Sequence, residues 1–270
     1  MRHRITWDDL PADVRAAVAA RSGPIQAVRT VSAGANSPLA AVFETEEGRV
    51  FVKGMPSDSR GVASQAREAA VAPHVAGVAP RLLWHLPDAA GWDLLGFEYV
   101  DGRHADYTPG SPDIAATATL LTRIGEIEYP ADAPARDVRA AFAAHIDDTA
   151  DADLLAGTRL LHIDFNPENV LIGPDGPKMV DWAWPCRGAA WINSCVLMVR
   201  LIAAGHTPEA AEDCIAEVPA WRSAPPAGVG VFAVASASLW TEIAEQDPQP
   251  WKQDMAAAAQ AWAQKVLATS

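Results

Sequence analysis

The first hundred residues alternate short apolar runs with polar turns, a pattern typical of β-strands. Five runs have this character, at residues 25–32, 39–44, 49–53, 81–86 and 93–100. Turns rich in Gly, Pro, Asp and Glu separate the second run from the third, at residues 46–48, and the fourth from the fifth, at residues 87–91. Such short turns join antiparallel neighbours. We therefore predict a five-stranded antiparallel sheet.

Helical spacing of apolar residues surrounds this sheet and dominates the rest of the chain. A short helix after Pro11 and a second at residues 61–75 accompany the strands, and from Ser111 onwards the pattern is mainly helical. The sequence thus predicts an α+β fold in two lobes. Residues 1–101 form the N-terminal lobe with the five-stranded antiparallel sheet and a helix, and residues 102–270 form a mainly helical C-terminal lobe.

The densest chemistry lies in residues 160–184, where short strand-like runs flank a turn rich in Gly and Pro. Such a hairpin would let Asp164, Asn169 and Asp181 converge on one point. The spacing His162-x-Asp164-(x4)-Asn169, with Asp181 twelve residues further on, is the one that phosphoryl transfer from Mg-ATP uses. Two alternatives stay open: a hairpin with solvated carboxylates, or a metal-dependent hydrolase built on the same Asp pair.

This segment resembles the aminoglycoside phosphotransferase and choline kinase family, a branch of the protein-kinase-like fold. The resemblance implies that Asp164 is the catalytic base, that Asn169 and Asp181 are metal ligands, and that ATP and Mg²⁺ are the cofactors. Ile163 stands where that branch more often has Gly, and Trp182-Ala183 replaces the Phe-Gly of protein kinases. These departures affect neighbours of the acidic residues and not the acidic residues themselves. They make the substrate class harder to predict than the reaction.

The family also pairs a strand lysine with a helix glutamate beside the ATP phosphates, and Lys53 and Glu68 match that pattern. Lys53 ends the apolar run Val50-Phe51-Val52. An ammonium buried there is costly unless a partner meets it. The alternative is a lysine that reaches out to solvent at a strand end.

Two further stretches match the nucleotide-binding parts of the family. The turn after the first strand contains Ser32, Asn36 and Ser37, where the family has its phosphate-covering loop. The fifth strand ends near Glu98 and Val100, whose backbone groups would contact adenine. Taken without the resemblance, the first stretch is an ordinary hairpin turn, and the second is also compatible with an edge strand that ends in a turn.

The sequence after Asp181 favours a small acceptor. Only a few residues separate Asp181 from Gly188, so there is no room for the activation segment of a protein kinase. The family's Gly-Asp-Pro-x-x-Asp motif is replaced here by a run that ends in Asn193, and the missing aspartate leaves the local packing in question. Helices that follow would form the walls of the acceptor pocket, and the candidates for contact are Trp184, Trp191, Trp240 and Glu242.

Composition narrows the partners and the location. A net charge of −13 and a pI of about 4.9 argue against nucleic acid as a partner and mildly favour a cationic acceptor. No apolar run approaches the roughly 18 residues of a membrane span, and the start lacks an apolar signal core. We therefore expect a cytoplasmic protein without a membrane partner. The three cysteines form no disulfide or zinc pattern.

These observations predict an ATP- and Mg²⁺-dependent phosphotransferase that acts on a hydroxyl of a small molecule. The acceptor could be an aminoglycoside, another antibiotic-like compound or a metabolite, and antibiotic resistance would follow from the first two. The alternative is a catalytically inactive, kinase-like protein that binds nucleotide.

Overall fold

The chain divides into two compact units in a computed structural model that describes residues 4–31, 37–134 and 136–269. One unit comprises Met1–Gly102 and Lys178–Trp184, and the other comprises Arg103–Pro177 and Pro185–Ser270. The short segment Lys178–Trp184 therefore belongs with the N-terminal residues, although it lies far along the chain.

The first unit is an antiparallel sheet accompanied by two helices. Its elements are α1 (Ala12–Ser22), β1 (Ile25–Thr30), β2 (Leu39–Thr45), β3 (Gly48–Pro56), α2 (Val62–Val71), β4 (Leu82–Leu86) and β5 (Trp92–Glu98). The five strands are ordered β1-β2-β3-β5-β4, and every neighbouring pair is antiparallel. The predicted five-stranded antiparallel sheet is confirmed.

Helix α1 packs its apolar stripe on this sheet. Val14 and Val18, four residues apart on one helix face, are fully buried in a cluster with Leu39 and Phe43 of β2. Trp7 adds an edge-to-face contact to Phe43, with the ring centroids 4.8 Å apart. The sheet thus has one face closed by the N-terminal helix, as the sequence predicts.

Helix α2 is held to the sheet by a polar contact. Gln65 and Glu68 lie three residues apart on its buried face. The Nε2 of Gln65 donates to the backbone oxygen of Asp93 in β5, at 2.8 Å. The helix ends at Val71, earlier than predicted, and a 3₁₀ turn, Ala72–His74, follows because Pro73 cannot donate the next helical hydrogen bond.

Lys53 lies inside β3 and not at its end. The strand runs on to Pro56, and Lys53 is opposite Ala40 of β2 on one side and Leu95 of β5 on the other. The prediction that Lys53 ends a strand is wrong, because ladder pairing with β5 extends the strand through Gly54 and Met55. The Lys53 side chain therefore leaves the backbone at a buried position inside the sheet.

The second unit is mainly helical. Its elements are β6 (Arg103–His104), α3 (Asp113–Gly125), α4 (Val138–Phe142), α5 (Thr149–Asp153), β7 (Arg159–Leu161), β8 (Val170–Gly173), β9 (Gly176–Met179, which crosses the unit boundary), β10 (Cys186–Gly188), α6 (Trp191–Ala203), α7 (Pro208–Ile215), α8 (Pro219–Arg222), α9 (Pro226–Gln246) and α10 (Pro250–Thr269). Short strands β6 and β8 pair with each other, as do β7 and β10. The predicted α+β composition is confirmed.

The core of this unit is aromatic. The ring of Phe232 in α9 lies 4.9 Å from Phe142, 6.2 Å from Trp191 and 6.3 Å from Trp262, measured between ring centroids. All four side chains are buried. These contacts tie α4, α6, α9 and α10 into one packed body.

Helix α9 corrects one expectation from the sequence. By length and composition it is apolar enough to cross a membrane, and it is the one described helix of which this is true. The sequence predicts an apolar helix at residues 227–244 but no apolar run of spanning length, because Gly, Ser and Thr interrupt the run without lowering the average hydropathy enough. A single such helix is weak evidence for a span, since a core helix of a folded protein has the same composition.

Two helix boundaries also differ from the predictions. The spacing of Val138, Phe142 and Ile146 predicts a single helix, but α4 ends at Phe142 and a 3₁₀ turn, Ala143–His145, follows it. Asp247-Pro248 predicts the start of the last helix, but α10 begins at Pro250. Its first position is still a proline, whose absent N–H needs no partner there. The three cysteines are free, as expected.

Candidate functional site

The first unit brings together three charged side chains that the sequence singles out. The Nζ of Lys53 lies 2.5 Å from Oε2 of Glu68 and 3.0 Å from Oδ1 of Asp181. The side chains of Lys53 and Glu68 are only 10% and 5% exposed, whereas that of Asp181 is 33% exposed. One ammonium group is thus shared between a buried carboxylate and a partly accessible one.

Asp181 reaches Lys53 because its segment is hydrogen-bonded to the first unit. The N–H of Met179 donates to the carbonyl of Val78 at 2.8 Å, and the indole N–H of Trp182 donates back to the carbonyl of Met179 at 3.1 Å. Asp181 itself has a φ of +61°. Asp is one of the few residues that adopt this left-handed conformation at modest cost.

The electrostatics of this group keep Lys53 charged. Burial, the largest influence, acts to lower the pKa of Lys53, but Glu68 and Asp181 together outweigh it and raise the pKa. For Glu68, burial raises the pKa, while the attraction to Lys53 and a hydrogen bond from the backbone of Trp182 oppose the rise. Lys53 therefore carries a fixed positive charge at neutral pH.

The second unit builds a hydrogen-bonded carboxylate at Asp164. Its Oδ2 accepts from Nδ2 of Asn169 at 3.0 Å. Its Oδ1 accepts from the backbone N–H of Asn166 at 3.3 Å and from Nη2 of Arg200 at 2.8 Å. With 42% of the side chain exposed, Asp164 is both held in place and accessible.

The loop that carries Asp164 is hydrogen-bonded to the buried side chain of Asn193. The Oδ1 of Asn193, a residue with no exposed surface, accepts from the N–H of His162 at 3.1 Å and from the N–H of Ile163 at 3.3 Å. Asn193 occupies the position where the family has an aspartate. The doubt about local packing is therefore resolved, because the amide oxygen supplies the acceptor that the backbone needs.

Ile163 is in a strained conformation at this point. Its φ is +58°, in the left-handed region that β-branched residues strongly avoid. The family more often has Gly at this position, which adopts a positive φ freely. The replacement of Gly by Ile163 therefore places a strained residue next to the candidate base, and its N–H is bonded to Asn193.

The predicted nucleotide contacts are placed only in part. Ser32 and Asn36 lie outside the described residues. Ser37 lies at the edge of the described range, where its carbonyl accepts from the guanidinium of Arg4. The N–H of Glu98 donates to the carbonyl of Arg81 at 2.9 Å. Contact of Val100 and of the Glu98 carbonyl with adenine stays a prediction.

The candidates for acceptor contact fall into different environments. Trp191 is a core residue, 5% exposed. Trp184 belongs to the first unit, where the guanidinium carbon of Arg67 lies 5.2 Å from its ring centroid. Trp240 lies against Arg200 at 5.3 Å, and Glu242 is 3.7 Å from the ring of His145. Of the four, Trp240 is connected to Asp164 through a shared neighbour.

The donor atoms present suit a hard metal ion. In the second unit Asn169 donates its amide nitrogen to Asp164, so its amide oxygen remains as a potential ligand. In the first unit, and considered by itself, Asp181 offers a partly exposed carboxylate. Oxygen donors of this kind fit Mg²⁺, which keeps several waters and needs few ligands from the protein. Among residues 4–31, 37–134 and 136–269, no group of three or more His, Cys, Asp or Glu side chains could hold a metal alone.

Sequence reasoning missed the partner of Asp164. Arg200 is the one cation in α6, a thirteen-residue helix that is otherwise apolar or neutral. A charge in such a helix requires a partner wherever it is buried. That requirement was a usable signal, although it could not have named Asp164.

Comparison with solved structures shows that this chain has the protein-kinase-like fold. Solved structures similar to the chain include the choline kinase LicA from Streptococcus pneumoniae, at a TM-score of 0.64 and 15% identity over 95% of this chain and 98% of that one. Another is an aminoglycoside phosphotransferase from Alicyclobacillus acidocaldarius, with a TM-score of 0.64 and 16% identity over 93% of this chain and 94% of that one. No protein-family model and no curated protein matches the sequence.

A third similar structure has ligands bound. It is a thermostable mutant of the aminoglycoside phosphotransferase APH(4)-Ia in a ternary complex with AMP-PNP and hygromycin B, with a TM-score of 0.63 and 14% identity over 96% of this chain and 99% of that one. At such low identities the likeness establishes the fold. Activity and acceptor have to be argued from this chain's own residues.

Proposed function

We propose that this protein is an ATP- and Mg²⁺-dependent phosphotransferase that transfers the γ-phosphoryl group to a hydroxyl of a small molecule. The observation that carries the proposal is the Lys53–Glu68–Asp181 group, a buried ammonium held by one buried and one accessible carboxylate. An arrangement that leaves a charged lysine next to an accessible carboxylate suits a phosphate and its metal ion.

The proposed roles follow the chemistry of each side chain. Lys53 binds the phosphates, Glu68 orients Lys53, and Asp181 and Asn169 would hold Mg²⁺, which supplies charge stabilisation for the transferred group. Asp164 accepts the proton of the acceptor hydroxyl. That oxygen then bonds to the γ-phosphorus while the bond from this phosphorus to the β,γ-bridging oxygen breaks and ADP leaves.

The acceptor is proposed as a small hydroxylated molecule, of the aminoglycoside, other antibiotic-like or metabolite kind. Support comes from the fold shared with a choline kinase and with a phosphotransferase crystallised with hygromycin B. The net charge of −13 adds mild support for a cationic acceptor. Because the net charge is negative, we do not propose nucleic acid as a partner. We also propose no membrane partner and a cytoplasmic location.

The test separates binding from chemistry. ATP with Mg²⁺ should raise the melting temperature of the wild type, because a ligand that binds only the folded state stabilises it. Asp164→Asn should keep that shift and lose turnover by about 100- to 10,000-fold, the usual contribution of a positioned base. Asp181→Asn should lose most of the shift itself.

A matched control is Asp247→Asn, which alters an exposed carboxylate in the second unit. It should change neither the shift nor the turnover. A wild type stabilised by Mg-ATP but without turnover on any hydroxylated compound would instead indicate a nucleotide-binding protein without activity. No stabilisation at saturating nucleotide would refute the proposal.

A further inference from the structure

Asp164 is contacted by a cation from outside its own loop. Arg200 projects from α6, thirty-six residues further along the chain, and its Nη2 lies 2.8 Å from Oδ1 of Asp164. The loop itself provides Asn166 and Asn169 as neutral donors. The charge that fixes Asp164 therefore comes from a helix of the core.

The guanidinium of Arg200 is itself held in place. Its side chain is 11% exposed, its central carbon lies 5.3 Å from the ring centroid of Trp240, and its Nη1 lies 3.5 Å from the sulfur of Met255. A planar guanidinium that lies over an indole and is mostly buried keeps its donors in a fixed direction. The contact with Asp164 is thus made by a rigid donor and not by a mobile surface side chain.

The donors around Asp164 divide its two oxygens unequally. An ionised carboxylate has about four lone-pair positions, two on each oxygen. Oδ1 accepts from both Arg200 and Asn166, whereas Oδ2 accepts from Asn169 alone. One position on Oδ2 remains, while those on Oδ1 are both used.

We infer that Arg200 is the positioning residue of the candidate base: it holds Oδ1 so that Oδ2 faces the acceptor hydroxyl and receives its proton. This inference rests on the proposed function for the identity of the reaction, but its structural content does not depend on activity. In the transfer step the acceptor O–H bond breaks, the Oδ2–H bond forms, and Arg200 touches neither the phosphate nor the acceptor.

The structural test compares crystal structures of the wild type and Arg200→Met, a variant that keeps the length of the side chain without its donors. We expect the carboxylate of Asp164 to rotate and its hydrogen bond with Asn169 to lengthen or break. Arg200→Lys, which keeps the charge but loses the planar fork, should show a smaller rotation. An unchanged carboxylate in Arg200→Met would overturn the inference, whether or not the enzyme is active.

The kinetic test asks which constant changes. Arg200→Met should lower kcat by about 10- to 100-fold, as small misplacements of a catalytic group do, and leave the KM for ATP within about twofold. Added guanidinium ion should restore part of kcat to Arg200→Ala, and urea at the same concentration should not. Arg222→Met, at an exposed arginine of the same unit, is the control and should leave all constants unchanged.

The outcomes separate the two claims. A wild type that neither binds nor turns over Mg-ATP would refute the proposed function, and the crystal structures would still decide the role of Arg200. An active wild type whose Arg200→Met variant loses ATP affinity in place of kcat would refute the positioning role. If Arg200→Met does not fold, the comparison of the wild type with Arg200→Lys decides.

Discussion

Replacing Lys53 by Met isolates the effect of one buried charge. Met keeps most of the volume of the lysine stem in β3 but removes the ammonium group from Glu68, whose side chain is 5% exposed. Asp181, at 33% exposure, can turn to water. The cost of the substitution should therefore be concentrated on Glu68.

The magnitude follows from what Glu68 can do without its partner. It either remains charged in a buried site, which costs about 3–5 kcal/mol, or it takes up a proton. Protonation limits the loss, because a carboxyl with an unfolded-state pKa of 4.5 costs about 4 kcal/mol to protonate at about pH 7.5 and about 1.4 kcal/mol at about pH 5.5. We expect stability losses close to these two limits.

The sign of the pH dependence can be checked separately. Burial raises the pKa of Glu68 in the folded protein, so protons favour folding, and that stabilisation declines as the pH rises above 4.5. Removing Lys53 takes away a charge that lowers the pKa of Glu68, so this pKa rises further and the pH range over which the stabilisation is lost extends to higher pH. The difference in unfolding free energy between wild type and variant should therefore grow from about pH 5.5 to about pH 7.5.

Urea unfolding followed by circular dichroism measures the difference at both pH values. Lys53→Met/Glu68→Gln should recover most of the loss, because the buried carboxylate is gone. Lys252→Met is the matched control, since Asp247, its partner, is 54% exposed, and it should cost at most about 1 kcal/mol. Equal losses at both pH values, or no recovery in the double variant, would refute the reasoning.

Two further predictions concern the loop that carries Asp164. Asn193→Ala should lower the free energy of unfolding by about 2–4 kcal/mol, because the N–H groups of His162 and Ile163 lose their buried acceptor. Urea unfolding measures this, with Asn166→Ala, a more accessible cap, expected to cost about 1 kcal/mol or less. Ile163→Gly should be more stable than Ile163→Ala by about 1 kcal/mol, the reverse of the usual order, because only Gly relieves a φ of +58°. The opposite order in thermal unfolding would show that the loop relaxes when the side chain is shortened.

The sequence predicts those features of this protein that depend on local pattern. Alternation and turn composition predict the sheet, motif spacing singles out Asp181, and the family resemblance singles out Lys53 and Glu68. The first unit brings these three side chains together. Strand ends and helix boundaries are predicted less well. Pairing with β2 and β5 extends β3 past Lys53, and these contacts with other strands are not visible in the local sequence pattern.

The missed features depend on contacts between distant residues. Arg200 and Asp164 are thirty-six residues apart, and Asn193 is thirty-one residues from His162. Nothing in the local pattern shows that the residues of each pair meet. Ile163 illustrates the same limit, because a β-branched residue predicts an extended backbone, whereas its backbone is left-handed and its N–H donates to the distant Asn193.

The division of labour between the two partners of Lys53 follows from their exposure. Glu68 is buried and hydrogen-bonded to the backbone of Trp182. If it separated from Lys53, its own carboxylate would remain buried without a counter-charge. Asp181 is partly accessible, so it can exchange Lys53 for another cation at little cost. In the proposed reaction Glu68 is thus the permanent partner that keeps Lys53 in place. Asp181 is the partner that Lys53 can release when metal and phosphate bind, which leaves the ammonium group free for the phosphate.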